Sequence, residues 1–341
     1  MSEPTPNDSP PASRRRRTLL GAIAGAAAGG LPALAPRRVL AQPQWPARPV
    51  RVLLGFPAGG SIDVVFRVMA KNAEPFLGQS VIVENKPGAG GTVSIVQMKN
   101  ATPDGYTLGL ITMGVFRAPV TETVAYDPIA DITYIVCLSH VPFGIVVRAD
   151  SPFQTWADLL AHGRADPGKV NYGVPAGLGN SAHLLVEEIT GQERIKWHAI
   201  PYKGSADTAL ALLSGDVDFT VDGSGGFGPL VDAGKARLLA VASEERSPKW
   251  SDVPTTRELG YRMSIDSPWG LGGPKGLPAA VVQTVQDAFR KSLDTPEVKI
   301  ALARAGQGSR YKDAAEYTEF AARAAVEERA LLTKYGFARE P

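Results

Sequence analysis

Short apolar runs alternate along this chain with stretches in which apolar residues recur every three or four positions. Residues 50–56, 81–84, 107–112, 144–147, 170–173, 217–221 and 236–242 form the runs and predict strands. Residues 64–76, 93–100, 155–162, 182–190 and 206–213 carry the helical period. Alternation at this spacing predicts an α/β fold built on parallel sheets with helices on both faces. Pro103-Asp104-Gly105, Asp166-Pro167-Gly168 and Ser214-Gly215 punctuate the junctions as turns. Beyond a rigid break at Pro274 to Pro278 the pattern turns almost wholly helical, over 279–293, 296–305 and 314–335. Those helices are expected on the outside of a sheet already built. The runs 141–148 and 267–273 read as two strands that pass between lobes. They divide the chain into lobe 1, residues 42–147 and 267–341, and lobe 2, residues 148–266. In open α/β sheets ligands sit at the carboxyl ends of the strands, so two such sheets place the ligand in the cleft between them.

The first strand breaks on Gly55-Phe56-Pro57-Ala58-Gly59-Gly60-Ser61-Ile62-Asp63 into a helix. A break of this kind leaves backbone N–H groups without helical partners, at the end of the helix where its dipole favours negative charge. The same grammar recurs at Gly88-Ala89-Gly90-Gly91-Thr92, at Gly177-Leu178-Gly179-Asn180-Ser181 and at Lys203-Gly204-Ser205. Four anion-receptive turns with no nucleophile or metal cluster beside them predict a protein that holds a small anion and does not transform it.

Enzyme motifs are incomplete wherever they are approached. Gly55 to Ser61 has the spacing of a phosphate loop without its lysine, and Val93 stands where a dinucleotide fingerprint needs its last small residue. Ser224 follows Asp222-Gly223 and does not sit in a Gly-x-Ser-x-Gly elbow, while Ser181 and His183 share one short turn with no third partner. His140, His162, His183 and His198 show no metal spacing, so neither a metal nor a cofactor is expected. An exported α/β hydrolase is the remaining enzyme reading.

Charge changes the picture only at the start of the chain. Arg14 to Arg17 form a basic stretch ending in a twin-arginine pattern, followed by a weakly apolar Ala/Gly/Leu run and by small residues at Val39-Leu40-Ala41. This is the grammar of a twin-arginine export signal, residues 1–41, cleaved before Gln42 in the periplasm. The segment holds six arginines and two acids. A chain starting at Gln42 therefore has 30 basic against 32 acidic residues, a balance of −2 against +2 for the whole. Nothing in that balance suggests nucleic acid or an anionic membrane as a partner. The one cysteine, Cys137, lies in an apolar run and reads as a small buried hydrophobe.

Several segments together resemble a known family. Trp45-Pro46-Ala47-Arg48-Pro49-Val50-Arg51, Gly59-Gly60-Ser61-Ile62-Asp63, Val83-Glu84-Asn85-Lys86-Pro87-Gly88-Ala89-Gly90-Gly91 and Pro103-Asp104-Gly105-Tyr106-Thr107-Leu108 are similar, in order and spacing, to the Bug-type receptors of tripartite tricarboxylate transporters. Tyr126-Asp127-Pro128, Ile200-Pro201-Tyr202-Lys203-Gly204, Gly215-Asp216-Val217-Asp218 and Asp252-Val253-Pro254-Thr255 continue the match. The resemblance implies a two-lobed periplasmic binding protein of type II fold, each lobe a mainly parallel sheet flanked by helices. It implies a monomer that closes on a di- or tricarboxylate and delivers it to the permease subunits of the transporter. A sensor presenting the same ligand to a membrane kinase is the alternative.

The turns and the resemblance together give a candidate ligand-binding set. Ala58, Gly59, Gly60, Ser61 and Asp63 come from the first loop and Gly91 from the second. Gly177, Gly179, Asn180, Ser181 and His183 come from the third loop, and Tyr202, Gly204 and Ser205 from the fourth. Asp63 is either a complement to the helix dipole or a partner for water and ligand. The three serines are either helix caps alone or caps that also touch ligand. His183 is either a structural hydrogen-bonding group or a ligand group. Where the family tends to carry small polar residues, this chain has Met113-Gly114-Val115-Phe116-Arg117, and it has Val174 where the family tends to place Ser. These changes predict a larger or more apolar ligand, even an aromatic one. Arg117 is expected either to pair with a ligand carboxylate, or to lie solvated or beside Glu122.

Overall fold

The computed structural model describes residues 45–88, 91–175, 177–243, 245–261, 263, 265 and 267–339. The export signal and Ala89 and Gly90 of the second turn lie outside the described residues. The first sheet takes β1 (Val50–Leu54), β2 (Val81–Asn85), β3 (Thr107–Ile111), β4 (Ile132–Val141), β10 (Ser267–Pro274) and β11 (Gly308–Lys312). Their order across the sheet is β11-β4-β10-β3-β1-β2. The second sheet, in the order β7-β6-β8-β5-β9, takes β5 (Phe143–Arg148), β6 (Asn171–Pro175), β7 (His198–Tyr202), β8 (Phe219–Gly223) and β9 (Ala236–Val241).

Each sheet holds a parallel trio, β2-β1-β3 in one and β7-β6-β8 in the other. The remaining strands pair antiparallel. The sheets are therefore mixed, because the chain that passes between them must run back along each. β4 and β5 meet at Pro142. Since β5 pairs along its length with β8 and β9, the sheets exchange at Pro142 and not at the expected 147/148 boundary.

The helices follow from periodicity and from their ends. α1 (Ser61–Leu77) buries Val65, Phe66, Met69, Ala70, Ala73 and Leu77 as one stripe and stops at Gly78, whose φ of 77° suits a glycine C-cap. α8 (Ala279–Leu293) packs beside it, with Phe289 stacked on Phe66 at 5.8 Å and Trp269 of β10 set edge-on at 6.3 Å. Rings buried in this way contribute both area and favourable quadrupole geometry. The sheet's other face is covered by α2 (Thr92–Lys99), α3 (Gly114–Thr121) and α10 (Ala314–Lys334), over Leu53, Ile95, Met98, Phe116, Tyr134, Cys137 and Tyr317. Cys137 is buried as expected, and burial pushes its thiol up to about 12.

The second sheet is covered by α4 (Trp156–Ala165), α5 (Ser181–Glu193), α6 (Ser205–Ser214) and α7 (Ser224–Asp232). Its main core gathers Tyr172, Phe219, Trp156, Trp197 and the apolar side of α5. α9 (Pro296–Arg304) packs against α1. Among the described residues no helix is long and apolar enough to cross a membrane.

Candidate functional site

The strand-to-helix turns lie where the parallel strands end. After β1 the chain passes through the exposed Pro57 to Gly60 and enters α1 at Ser61. Gly59 has φ +83°, with open space where a side chain would stand, and Gly60 caps α1 without any side-chain bond. The first N–H groups of α1 therefore have no helical acceptor and no capping oxygen. Asp63 is 2% exposed. Its Oδ2 accepts from Gly59 N at 2.9 Å, its Oδ1 from Asn85 Nδ2 at 2.8 Å, and Arg67 Nε lies 3.0 Å from both oxygens. Burial alone would raise its pKa, but the bonds from Arg67, Gly59 and Asn85 outweigh burial and hold it below the usual value. Asp63 thus fixes the shape of the turn, and the turn presents backbone N–H groups.

The second turn backs directly onto the first. A Cβ on Gly55 would lie 2.6 Å from Gly91 Cα, so only glycine lets the two backbones meet, and Gly91 itself has φ +97°.

The third turn is built by Asn180 and His183. Asn180 caps α5 by accepting from His183 N at 3.0 Å and donates from Nδ2 to Gly177 O at 2.9 Å. The His183 ring accepts from Gly179 N through Nδ1 at 3.0 Å, stacks on Tyr172 and meets the edge of Phe337. Burial lowers the His183 pKa against the opposing pull of Glu187, which favours the neutral ring that can accept at Nδ1. Both side chains shape the turn, and Gly177, φ +88°, faces open space.

Arg117 sits on α3 and closes on protein groups. Its Nε and one terminal nitrogen make a two-point pair with Glu328 of α10, at 2.6 and 2.7 Å, and its other nitrogen donates to Ser181 Oγ at the start of α5. The carboxylate opposite Arg117 in this structure is that of Glu328, and not that of Glu122. No local pattern signals this partner, which lies 211 positions away. The apolar-cleft expectation is corrected as well. Met113, Val115 and Phe116 pack into the core behind β3, and Val174 is fully buried in the core of the second sheet. Val115 also borders the small cavity beside Gly55 and Gly91.

The fourth turn carries a residue absent from the candidate set. Tyr202 ends β7 half-buried, and Gly204, in extended backbone, has open space at its side-chain position. Ser205 begins α6, and its Oγ donates at 2.9 Å to Oδ1 of Asp222, a residue of β8 that is 6% exposed. Gly223 N donates to the same oxygen at 2.7 Å. Burial raises the Asp222 pKa to about 6, against the lowering effect of those two bonds.

α7 then starts at Ser224, and its first turn is made of Gly225 and Gly226. A Cβ on Gly225 would lie 2.2 Å from Ser61 Oγ, so the α1 and α7 N-termini touch across the cleft. The signal was present in Asp222-Gly223-Ser224-Gly225-Gly226, a fifth strand-to-helix break on glycine after the run 217–221. Among the described residues no group of three or more His, Cys, Asp or Glu is placed to hold a metal ion.

Known proteins share this architecture. The sequence model described as "Tripartite tricarboxylate transporter family receptor" matches residues 65–337. The "UPF0065 protein in gbd 5'region" of Cupriavidus necator is 41% identical over 94% of this chain and 96% of its own length. The solved structure of the periplasmic binding protein BugD is 29% identical with a TM-score of 0.75, covering 87% of this chain and 100% of that one. The R. palustris protein Rpa4515, solved with adipate, is 28% identical with a TM-score of 0.77, covering 86% and 99%. With its two sheets, its helix N-termini gathered at the strand ends and a family match across most of its length, the chain belongs to the tripartite tricarboxylate transporter family of receptors.

Proposed function

We propose that this chain is a periplasmic receptor that binds a small di- or tricarboxylate between two lobes and delivers it, as a monomer, to the permease subunits of a tripartite transporter. The sequence divides the lobes as residues 42–147 with 267–341, and 148–266; placing the first boundary at Pro142, where the chain leaves one sheet for the other, gives 42–142 with 267–341, and 143–266. The observation that carries the reading is the pair of uncapped helix starts at Gly60-Ser61 and Gly204-Ser205. Their N–H groups are anion receptors, and Gly59 and Gly204 leave the space before them open. With Asp63, Asn180 and His183 engaged in turn geometry and Arg117 paired to Glu328, the binding groups are Ala58 to Ser61, Gly91, Gly177, Gly179, Ser181, Tyr202, Gly204 and Ser205. Adipate in Rpa4515 supports the same ligand class.

Thermal shift with succinate, adipate and citrate tests the reading. A ligand at about 100 times its Kd adds ~2.7 kcal/mol of stability. No shift with any of the three at millimolar concentration would count against a carboxylate receptor. Export is tested separately. Replacing Arg16 and Arg17 by Lys is expected to leave precursor in the cytoplasm, and normal export of that variant would remove the twin-arginine route while leaving the receptor reading untouched.

A further inference from the structure

Resting on the carboxylate-receptor reading, we propose that the cleft selects a carboxylate bearing a second group that donates a hydrogen bond, a hydroxyl or an ammonium, and that Asp222 accepts that bond. Asp222 stands at the carboxyl end of β8, level with the turns that begin α6 and α7. Its Oδ1 is saturated by Ser205 Oγ and Gly223 N. Its Oδ2 receives no hydrogen bond from the described residues. That oxygen lies over the first turn of α7, 2.1 Å from where a Cβ on Gly226 would be, and the neighbouring Gly225 is the residue against which Ser61 of α1 packs. The free oxygen and the uncapped start of α1 thus meet adjacent residues of the same helical turn, close enough for one small molecule to reach both.

A buried carboxylate with no paired cation among the described residues is costly, and the raised pKa reports that cost. A donor brought by the ligand relieves it. A second carboxylate brought to the same place is repelled, because like charges meeting in a desolvated site are strongly disfavoured. Sites built around a buried polar group reject analogues that lack its partner far more sharply than apolar pockets reject a missing methylene. Asp222 therefore discriminates between ligands while the helix starts hold the shared carboxylate.

The test is calorimetry on the purified, ligand-stripped protein with succinate, malate, aspartate and adipate. Malate and aspartate differ from succinate by one hydroxyl or one ammonium, and their relative affinities tell which donor is used. Malate or aspartate is expected to bind at least tenfold tighter than succinate, and in Asp222→Asn that ratio is expected to fall below threefold. Equal binding of the three, or binding of adipate or succinate in preference to both donor-bearing ligands, overturns the inference and leaves the carboxylate reading standing. An unchanged ratio in Asp222→Asn overturns the role of Asp222. Failure of all four to bind removes the carboxylate reading and the inference with it. Should the variant not fold, the wild-type ratios alone decide.

Discussion

Replacing Glu328 by Ala is expected to destabilise the protein by about 2–4 kcal/mol, and replacing Arg117 by Ala by a similar amount. The pair is bidentate at 2.6 and 2.7 Å, with side chains only 16% and 8% exposed, so removing either partner leaves the other charge desolvated and unpaired. Removing both is expected to cost clearly less than the sum of the single changes, since neither charge is then stranded. Denaturant unfolding of the two single variants and the double variant measures this, and a cost below about 0.5 kcal/mol for each single change would show the pair to be an ordinary surface contact.

The same variants bear on binding. Arg117 ties α3 to Ser181 at the start of α5, while Val120, Leu184 and Leu332 close an apolar contact beside it. If Arg117 acts by positioning that turn, Glu328→Ala lowers carboxylate affinity about as much as Arg117→Ala does. A loss confined to Arg117→Ala would instead return the guanidinium to the ligand.

What the sequence disclosed and what it hid divide along physical lines. The strands at 50–54 and 107–111 were legible as unbroken apolar runs, because they are buried on both faces, and the helices α1 and α8 because each buries one face and so imposes a period on its own residues. α3 and α7 were not. Both are short, each contains a proline, and the glycines of α7 belong to its contact with α1 and not to a helical pattern. β7 and β11 hid for the opposite reason. They are edge strands with few buried residues, so their alternation is weak.

At the site, the turns themselves could be read from glycine spacing, because backbone conformation is a local property. The partners of Arg117 and Ser205 could not, because an ion pair across 211 positions or a hydroxyl bond to Asp222 leaves no periodic trace. Met113, Phe116 and Val174 show the same limit in reverse. Their place next to predicted strand ends suggested the cleft, whereas their side chains point into the cores.

The second large effect is expected at Asp222, as stability that depends on pH. Burial raises its carboxyl from the ordinary 3.8 to about 6 in the folded protein, so ionisation is harder folded than unfolded. The stability that protonation contributes is fully present below about pH 4 and is lost as pH rises through about 6. Asp222→Asn keeps the oxygen that accepts from Ser205 and Gly223 and removes the charge. At pH 4 the variant and the wild type are therefore expected to be nearly equal in stability. By pH 7.5 the variant is expected to be more stable by about 1–3 kcal/mol, since a tenfold change in proton affinity on folding is worth about 1.36 kcal/mol. Urea unfolding at pH 4, 5, 6 and 7.5 reads the gap as it opens. A gap that stays constant with pH, or a variant less stable than wild type at pH 7.5, would mean that the folded protein compensates the ionised Asp222. In that case the carboxylate would have no need of a donor from the ligand.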